Sequence, residues 1–119
     1  MGSNIIKEKS FEFAVQIVKL SQYLASEKKE FVLSKQILRS GTSVGAMIRE
    51  GEHAQSKADF VHKLSIAQKE INETLYWLEL LEATDYISVE RFSGLNHTAI
   101  EIIKLLTSIV KTAKSNLNH

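Results

Sequence analysis

Hydrophobic positions recur along most of the chain at intervals of three and four residues, which is the period of an α-helix. Short polar junctions divide this pattern into four segments. These segments predict four helices at about residues 4–28, 31–55, 57–84 and 89–115. The chain contains no proline, whereas a β-rich or loop-rich domain of this size normally carries several. The pattern therefore predicts an all-α fold.

The first predicted helix has two apolar faces. One face carries Phe13, Ile17, Leu20 and Leu24, and nearly opposite lie Phe11, Ala14, Val15, Val18 and Ala25. A helix that packs only into a monomeric bundle needs a single apolar stripe. A large apolar surface left over on a folded chain usually marks an interaction site. We therefore expect a homo-oligomer, although the pattern does not fix the number of copies.

The second predicted helix carries two glycines, Gly41 and Gly45, on its apolar face. Each glycine inside a helix costs about 1 kcal/mol relative to alanine. Two glycines one turn apart, with the small Ser43 between them, indicate that a neighbouring helix approaches this face closely. A break in the helix at this point is the alternative interpretation.

The third predicted helix begins with a capping pattern, in which Ser56 is the N-cap and Asp59 follows three residues later. Its apolar stripe faces the core, and Trp77 lies on a second, partial stripe. A tryptophan in that position can anchor a subunit interface. The alternative is that Trp77 lies across the edge of its own bundle.

The fourth predicted helix repeats its apolar residues at alternating intervals of three and four, from Phe92 to Ala113. Such spacing is typical of antiparallel bundles in which helices cross at small angles. Because the connections are short, sequential helices should be antiparallel neighbours. We therefore predict an antiparallel up-down-up-down four-helix bundle that forms a single domain over residues 1–119.

The composition narrows the possible chemistry. The chain of 119 residues has no cysteine, which excludes disulfides, thiol catalysis, iron–sulfur clusters and cysteine-based zinc sites. No apolar run approaches the roughly 18 residues of a membrane span, and the N-terminus lacks the pattern of a secretory signal. We therefore expect a cytoplasmic protein with no membrane partner.

Three short motifs invite a catalytic interpretation and do not support one. Residues 41–45 read G-T-S-V-G, but a nucleophile elbow needs the turn between a strand and a helix. Glu50 and His53 form a single E-x-x-H, whereas di-iron bundles use two. Glu70 and Glu73 are better placed for ion pairs than for acid–base catalysis. We expect no enzymatic activity, no catalytic residue, no metal site and no cofactor.

One face of the second predicted helix is basic and continues to the start of the third. This basic ridge lies within an arc of about 80° and is about 33 Å long. It consists of Lys35, Arg39, Thr42, Arg49, His53 and Lys57. The arc contains no acidic residue, although Glu50 borders it, and the net charge of the chain is only +1. Such a ridge is typical of a surface that contacts phosphates, and the alternative interpretation is a solvated helix face.

Several stretches of the chain resemble a known bacterial family. These stretches are SFEFA (10–14), QILRSGTSVGAMIRE (36–50), AQSKADF (54–60), KLSIA (63–67) and ETLYWLELL (73–81). They are similar to the four-helix-bundle proteins encoded in intervening sequences of 23S ribosomal RNA genes. The resemblance extends over roughly residues 4–115. Met47 departs from the family pattern, where Asn is usual, and so does Gly51, where Ala is usual.

The resemblance implies a four-helix bundle that assembles as a homo-oligomer, commonly a pentamer. A basic pentameric relative in diversity-generating retroelements works with a reverse transcriptase and RNA, so the resemblance implies association with RNA or a ribonucleoprotein. The expected phosphate contacts are Lys35, Arg39, Arg49, His53 and Lys57, to which Lys104, Lys111 and Lys114 can add. The alternative is an oligomeric scaffold that binds another protein and has no nucleic-acid role.

Overall fold

The computed structural model describes residues 2–117 as four α-helices. They are α1 (Gly2–Ser26), α2 (Leu33–Glu52), α3 (Lys57–Ala83) and α4 (Val89–Leu117). No strand occurs within these residues, so the all-α class is confirmed. Met1, Asn118 and His119, which the expected single domain includes, lie outside the described residues. None of the four helices is both long enough and apolar enough to cross a membrane.

Helix α2 is shorter than the sequence suggested at both ends. It begins at Leu33 rather than residue 31, and the carboxylate of Glu30 accepts a hydrogen bond from the backbone amide of Ser34 at 2.9 Å. It ends at Glu52 rather than residue 55, where the amide of His53 donates to the carbonyl of Glu50 at 3.1 Å. Apolar periodicity does not detect such capping contacts, and it therefore placed both bounds too far out.

The two apolar faces of α1 have different surroundings. The face with Phe13, Ile17, Leu20 and Leu24 is fully buried in the core. The other face leaves Phe11, Val15 and Val18 with 55%, 38% and 37% of their surface exposed. We call these last three residues the α1 outer stripe. The core therefore uses one of the two faces that the sequence predicted, and the second is open in the protomer.

Contacts between the helices follow one consistent order. Consecutive helices pack against each other and α4 packs against α1, in a bundle about 51 Å long. The contacts that define the order are Lys7–Glu52 (3.2 Å) and Ser21–Ser34 (3.2 Å) between α1 and α2, Glu50–Lys63 (3.1 Å) and Ser40–Thr74 (2.9 Å) between α2 and α3, and Lys9–Glu101 (3.6 Å) between α1 and α4. Between α1 and α2 and between α2 and α3, residues early in one helix meet residues late in the other. The predicted up-down-up-down order is compatible with all of these contacts.

Helix α2 lies very close to α1 at Gly41. A Cβ atom added to Gly41 would lie 2.8 Å from both Cγ1 and Cγ2 of Ile17, which is closer than real Cβ atoms approach a neighbour. At Gly45 the nearest atoms belong to Ser10, at an ordinary 3.5 Å. The helix runs unbroken through both glycines, so the alternative of a break is wrong.

A third glycine of α2 has a similar position on the side of α3. A Cβ atom added to Gly51 would lie 2.6 Å from Cδ1 of Leu64. That atom is the far end of a flexible side chain and can move aside. Met47, the other departure from the family pattern, is partly buried against the apolar core. Both departures are therefore accommodated by apolar packing of α2.

The start of α3 is capped as the sequence predicted. The hydroxyl of Ser56 accepts the amide of Asp59 at 3.0 Å, and the carboxylate of Asp59 accepts the amide of Gln55 at 3.2 Å. At its other end, α3 is terminated by a residue in the left-handed conformation, a position that glycine usually occupies. Here this residue is Asp85, with a φ of 66°, and the amide of Tyr86 donates to the carbonyl of Leu81. Lys29 likewise follows α1 with a φ of 54°.

The two central glycines of α2 should respond differently to substitution. Gly41→Ala should lower the free energy of unfolding by about 1–3 kcal/mol, because the new methyl group meets Ile17 with no space to move. Gly45→Ala should leave it unchanged or raise it by up to about 1 kcal/mol, since alanine favours the helix and fits the available space. Urea denaturation followed by circular dichroism measures both. Equal destabilisation by the two substitutions would contradict the packing described here.

Candidate nucleic-acid interface

The basic ridge extends over the outer face of α2 to the first residue of α3. Lys35, Arg39 and Arg49 are exposed on α2, His53 follows the last residue of the helix, and Lys57 opens α3. The five side chains differ in what surrounds them. The ridge is therefore not uniform as a surface for phosphate groups.

Carboxylates hold Arg39 at the boundary between α2 and α3. Its Nη2 pairs with Oε2 of Glu73, and its Nη1 lies 3.5 Å from Oε1 of Glu70. The expected ion-pair role of these two glutamates is confirmed. Because two carboxylates face one guanidinium, the local net charge is negative. This arrangement opposes the approach of a phosphate group to Arg39.

Trp77 belongs to the same network. Its indole Nε1 donates to Oε2 of Glu73 at 3.1 Å, and its ring packs edge-on against Tyr76 with centroids 5.1 Å apart. The ring is partly buried against the core. These contacts fit a tryptophan at the edge of its own bundle, and the partly exposed ring also fits an anchor of a subunit interface.

Thr42, in the middle of the ridge, and its neighbour Ser43 form hydrogen bonds within their own helix. The hydroxyl of Thr42 donates to the carbonyl of Leu38 at 2.7 Å, and that of Ser43 donates to the carbonyl of Arg39 at 2.6 Å. Residues 41–45 lie inside a helix, so the strained turn of a nucleophile elbow does not occur there. Ser43 is therefore a small helical residue beside the close contact of α2 with α1.

Arg49 remains available for an anion. Its guanidinium lies 5.3 Å from the centre of the Phe11 ring, a cation–π contact that holds the side chain without neutralising it. His53 and Arg49 line a shallow groove with Glu50, Gln55, Asp59 and Lys63. Within the described residues, no three His, Asp or Glu side chains come together as metal ligands would. The groove thus contains both basic side chains and two acidic residues, Glu50 and Asp59.

Ion pairs divide the lysines of the molecule into two groups. Lys7, Lys9 and Lys63 each have a carboxylate oxygen within 4.0 Å. Among the described residues, Lys35 and Lys57 of the ridge have none, and neither do Lys104, Lys111 and Lys114 of α4. Lys57 also lies beside the end of α4, since it lines a shallow depression with Phe60, Ala113 and Asn116. The charge of these five lysines is therefore free for another molecule.

The four packed helices place the chain in the class of small all-α bundle proteins. The model of the 23S rRNA-intervening sequence protein family matches residues 3–108 of the chain, and the chain belongs to this family. The family resemblance seen in the sequence is thereby confirmed.

A solved structure provides a close comparison. The chain is similar to a crystal structure of a protein of unknown function from the S23 ribosomal protein family of Bacteroides thetaiotaomicron, at 61% sequence identity and a TM-score of 0.92. The match covers 93% of this chain and 99% of the other. No curated protein matches the chain.

Proposed function

We propose that this protein is a non-enzymatic, homo-oligomeric, up-down-up-down four-helix bundle that associates with RNA or a ribonucleoprotein. The observation that carries the proposal is the set of exposed cations along α2 and at the start of α3 that have no carboxylate partner among the residues that the structure describes. The family name refers to 23S rRNA, and the similar crystal structure is assigned to a family of ribosomal proteins. Both names favour a setting rich in RNA over a purely protein partner.

The α1 outer stripe supports the homo-oligomeric part of the proposal. Its three members follow one face of α1, and Phe11, the most exposed, is held in place by the guanidinium of Arg49. Ordered apolar side chains in contact with water favour an interface, because association removes them from water. A second copy of the chain that packs on this stripe would bury them. The family resemblance implies five copies.

Static light scattering tests the assembly. The expected mass is a multiple of the 13.4 kDa of one chain, with five copies as the expected number. Val15→Lys places a charge on the α1 outer stripe and should shift the protein towards monomer. Gln16→Lys, at the exposed neighbouring position outside the stripe, should leave the mass unchanged. A wild-type monomer at micromolar concentration would contradict the proposed assembly.

Association with RNA is expected to be electrostatic. Lysine and arginine that neutralise phosphates release counterions, so the logarithm of the affinity falls linearly with the logarithm of salt concentration. An apolar protein interface is far less sensitive to salt. Repetition of the ridge around an oligomer would add avidity to a modest affinity of each protomer.

Fluorescence anisotropy with a fluorescein-labelled RNA hairpin tests this association. Binding at about 50 mM salt should weaken strongly at about 200 mM. The double variant Arg49→Gln/Lys57→Gln should bind at least about tenfold more weakly, since each lost phosphate contact reduces the affinity. The control Lys19→Gln/Lys69→Gln removes two exposed charges elsewhere and should bind like the wild type.

Two results would contradict the proposed function. One is the absence of binding by the wild type at low salt. The other is binding that salt does not weaken, which would favour the scaffold that recognises another protein.

A further inference from the structure

Charge is distributed unevenly along the long axis of the bundle. One end, which we call the basic end, is formed by residues 2–10, 46–63 and 101–117, and it carries eight Lys and Arg against five Asp and Glu. The opposite end, formed by residues 19–39 and 70–91, carries six against eight. The net charge of the whole chain is only +1. The positive charge is therefore concentrated where α2 and α4 end and α1 and α3 begin.

Internal ion pairs account for only part of this concentration. Three lysines of the basic end are paired, through Lys7–Glu52, Lys9–Glu101 and Lys63–Glu50. The other four lysines are exposed and have no carboxylate oxygen within 4.0 Å among the described residues. These are Lys57, Lys104, Lys111 and Lys114. Only the first belongs to the basic ridge of α2.

The lysines of α4 share one helical face. Lys104 and Lys111 are seven residues apart, which places them on the same side of the helix and about 10 Å apart along its axis. Lys114 follows about one turn later. No acidic residue occurs between Glu101 and Leu117. The outer face of this part of α4 is therefore continuously positive or neutral.

The helix dipole does not explain this face. A basic residue stabilises the negative end of a helix, but the effect falls off within the last turn. Only Lys114 lies in the last turn of α4. Lys104 and Lys111 gain nothing comparable from the dipole and have no carboxylate partner within the described part of the chain, so their charge is available to a ligand.

We propose that the basic end is the surface that binds the phosphodiester backbone of the nucleic acid, through Lys57 together with the three lysines of α4. This inference rests on the association with RNA proposed above and specifies where it occurs. Ammonium groups contact phosphates as point charges without reading the bases. The α4 lysines extend over about 15 Å along the helix axis, so they can contact more than one phosphate of a strand.

The first half of the basic ridge, with Lys35 and Arg39, is not part of this contact surface. Arg39 lies there between two carboxylates, and the acidic residues of the opposite end are close by. A phosphate backbone at that end would meet a negative local field. The last turn of α2 and the start of α3 remain, and the start of α3 adjoins the end of α4 at the depression lined by Lys57 and Ala113.

The test compares two triple variants of the whole chain with the same labelled RNA hairpin. Lys104→Gln/Lys111→Gln/Lys114→Gln removes the three charges of α4 and should weaken binding at least about tenfold at about 50 mM salt. The slope of log affinity against log salt should become shallower by about 2–3, since each phosphate contact contributes about 0.7–0.9. Exposed glutamine keeps a helix propensity close to that of lysine, and circular dichroism checks the fold.

A control triple variant removes the same charge away from the basic end. Lys19→Gln/Lys28→Gln/Lys69→Gln changes three exposed lysines and should bind with the affinity and salt slope of the wild type.

A second α4 variant separates charge from side-chain structure. In Lys104→Arg/Lys111→Arg/Lys114→Arg the three charges are kept, and binding should be restored to within a few-fold of the wild type. If the arginine variant bound as weakly as the glutamine variant, the role assigned to the charge would be overturned.

The outcomes distinguish this inference from the proposed function. Equal weakening by the α4 glutamine triple and its control, or no weakening by either, would overturn the basic end as the contact surface while binding to RNA stands. Binding lost in Arg49→Gln/Lys57→Gln but unchanged in the α4 triple would have the same consequence. No binding by the wild type would contradict both proposals.

Discussion

The close approach of α2 to its neighbours determines which of its side chains remain for other molecules. At Gly41 no side chain separates α2 from Ile17 of α1, and on the other side the buried hydroxyl of Ser40 meets that of Thr74 on α3. The inner face of α2 therefore packs closely against both α1 and α3. Its outer face cannot be used by the core, and the charges on that face are left to ion pairs or to a ligand.

Much of this arrangement follows from periodicity and local chemistry. The intervals of three and four residues were enough to predict the number of helices. The two apolar faces of α1 could be distinguished from the helical angle between residues alone, because helical geometry is regular. The Ser56 cap was equally visible, since its partner Asp59 lies three residues away. Features of this kind depend on residues close in sequence, whose relative positions are set by the helix itself.

The remaining features depend on residues far apart in sequence. Whether Arg39 is free or neutralised is decided by the register of α2 against α3, which brings Glu70 and Glu73 to it across more than thirty residues. A helical projection of α2 alone shows an uninterrupted basic arc. Likewise, Lys111 joins Lys57 at one end only because the end of α4 meets the start of α3. The left-handed residues that end α1 and α3 also lack the glycine that usually marks them.

The unpaired positive charge of this small bundle lies mainly at its basic end. The proposal that RNA contacts the basic end can be tested directly. Lysine acetylation read by mass spectrometry, with and without the RNA hairpin, reports on each lysine separately. RNA is expected to protect Lys57, Lys104, Lys111 and Lys114, while Lys19 and Lys28 should react as in the free protein. Equal protection at both ends, or protection confined to the acid-rich end, would contradict this proposal.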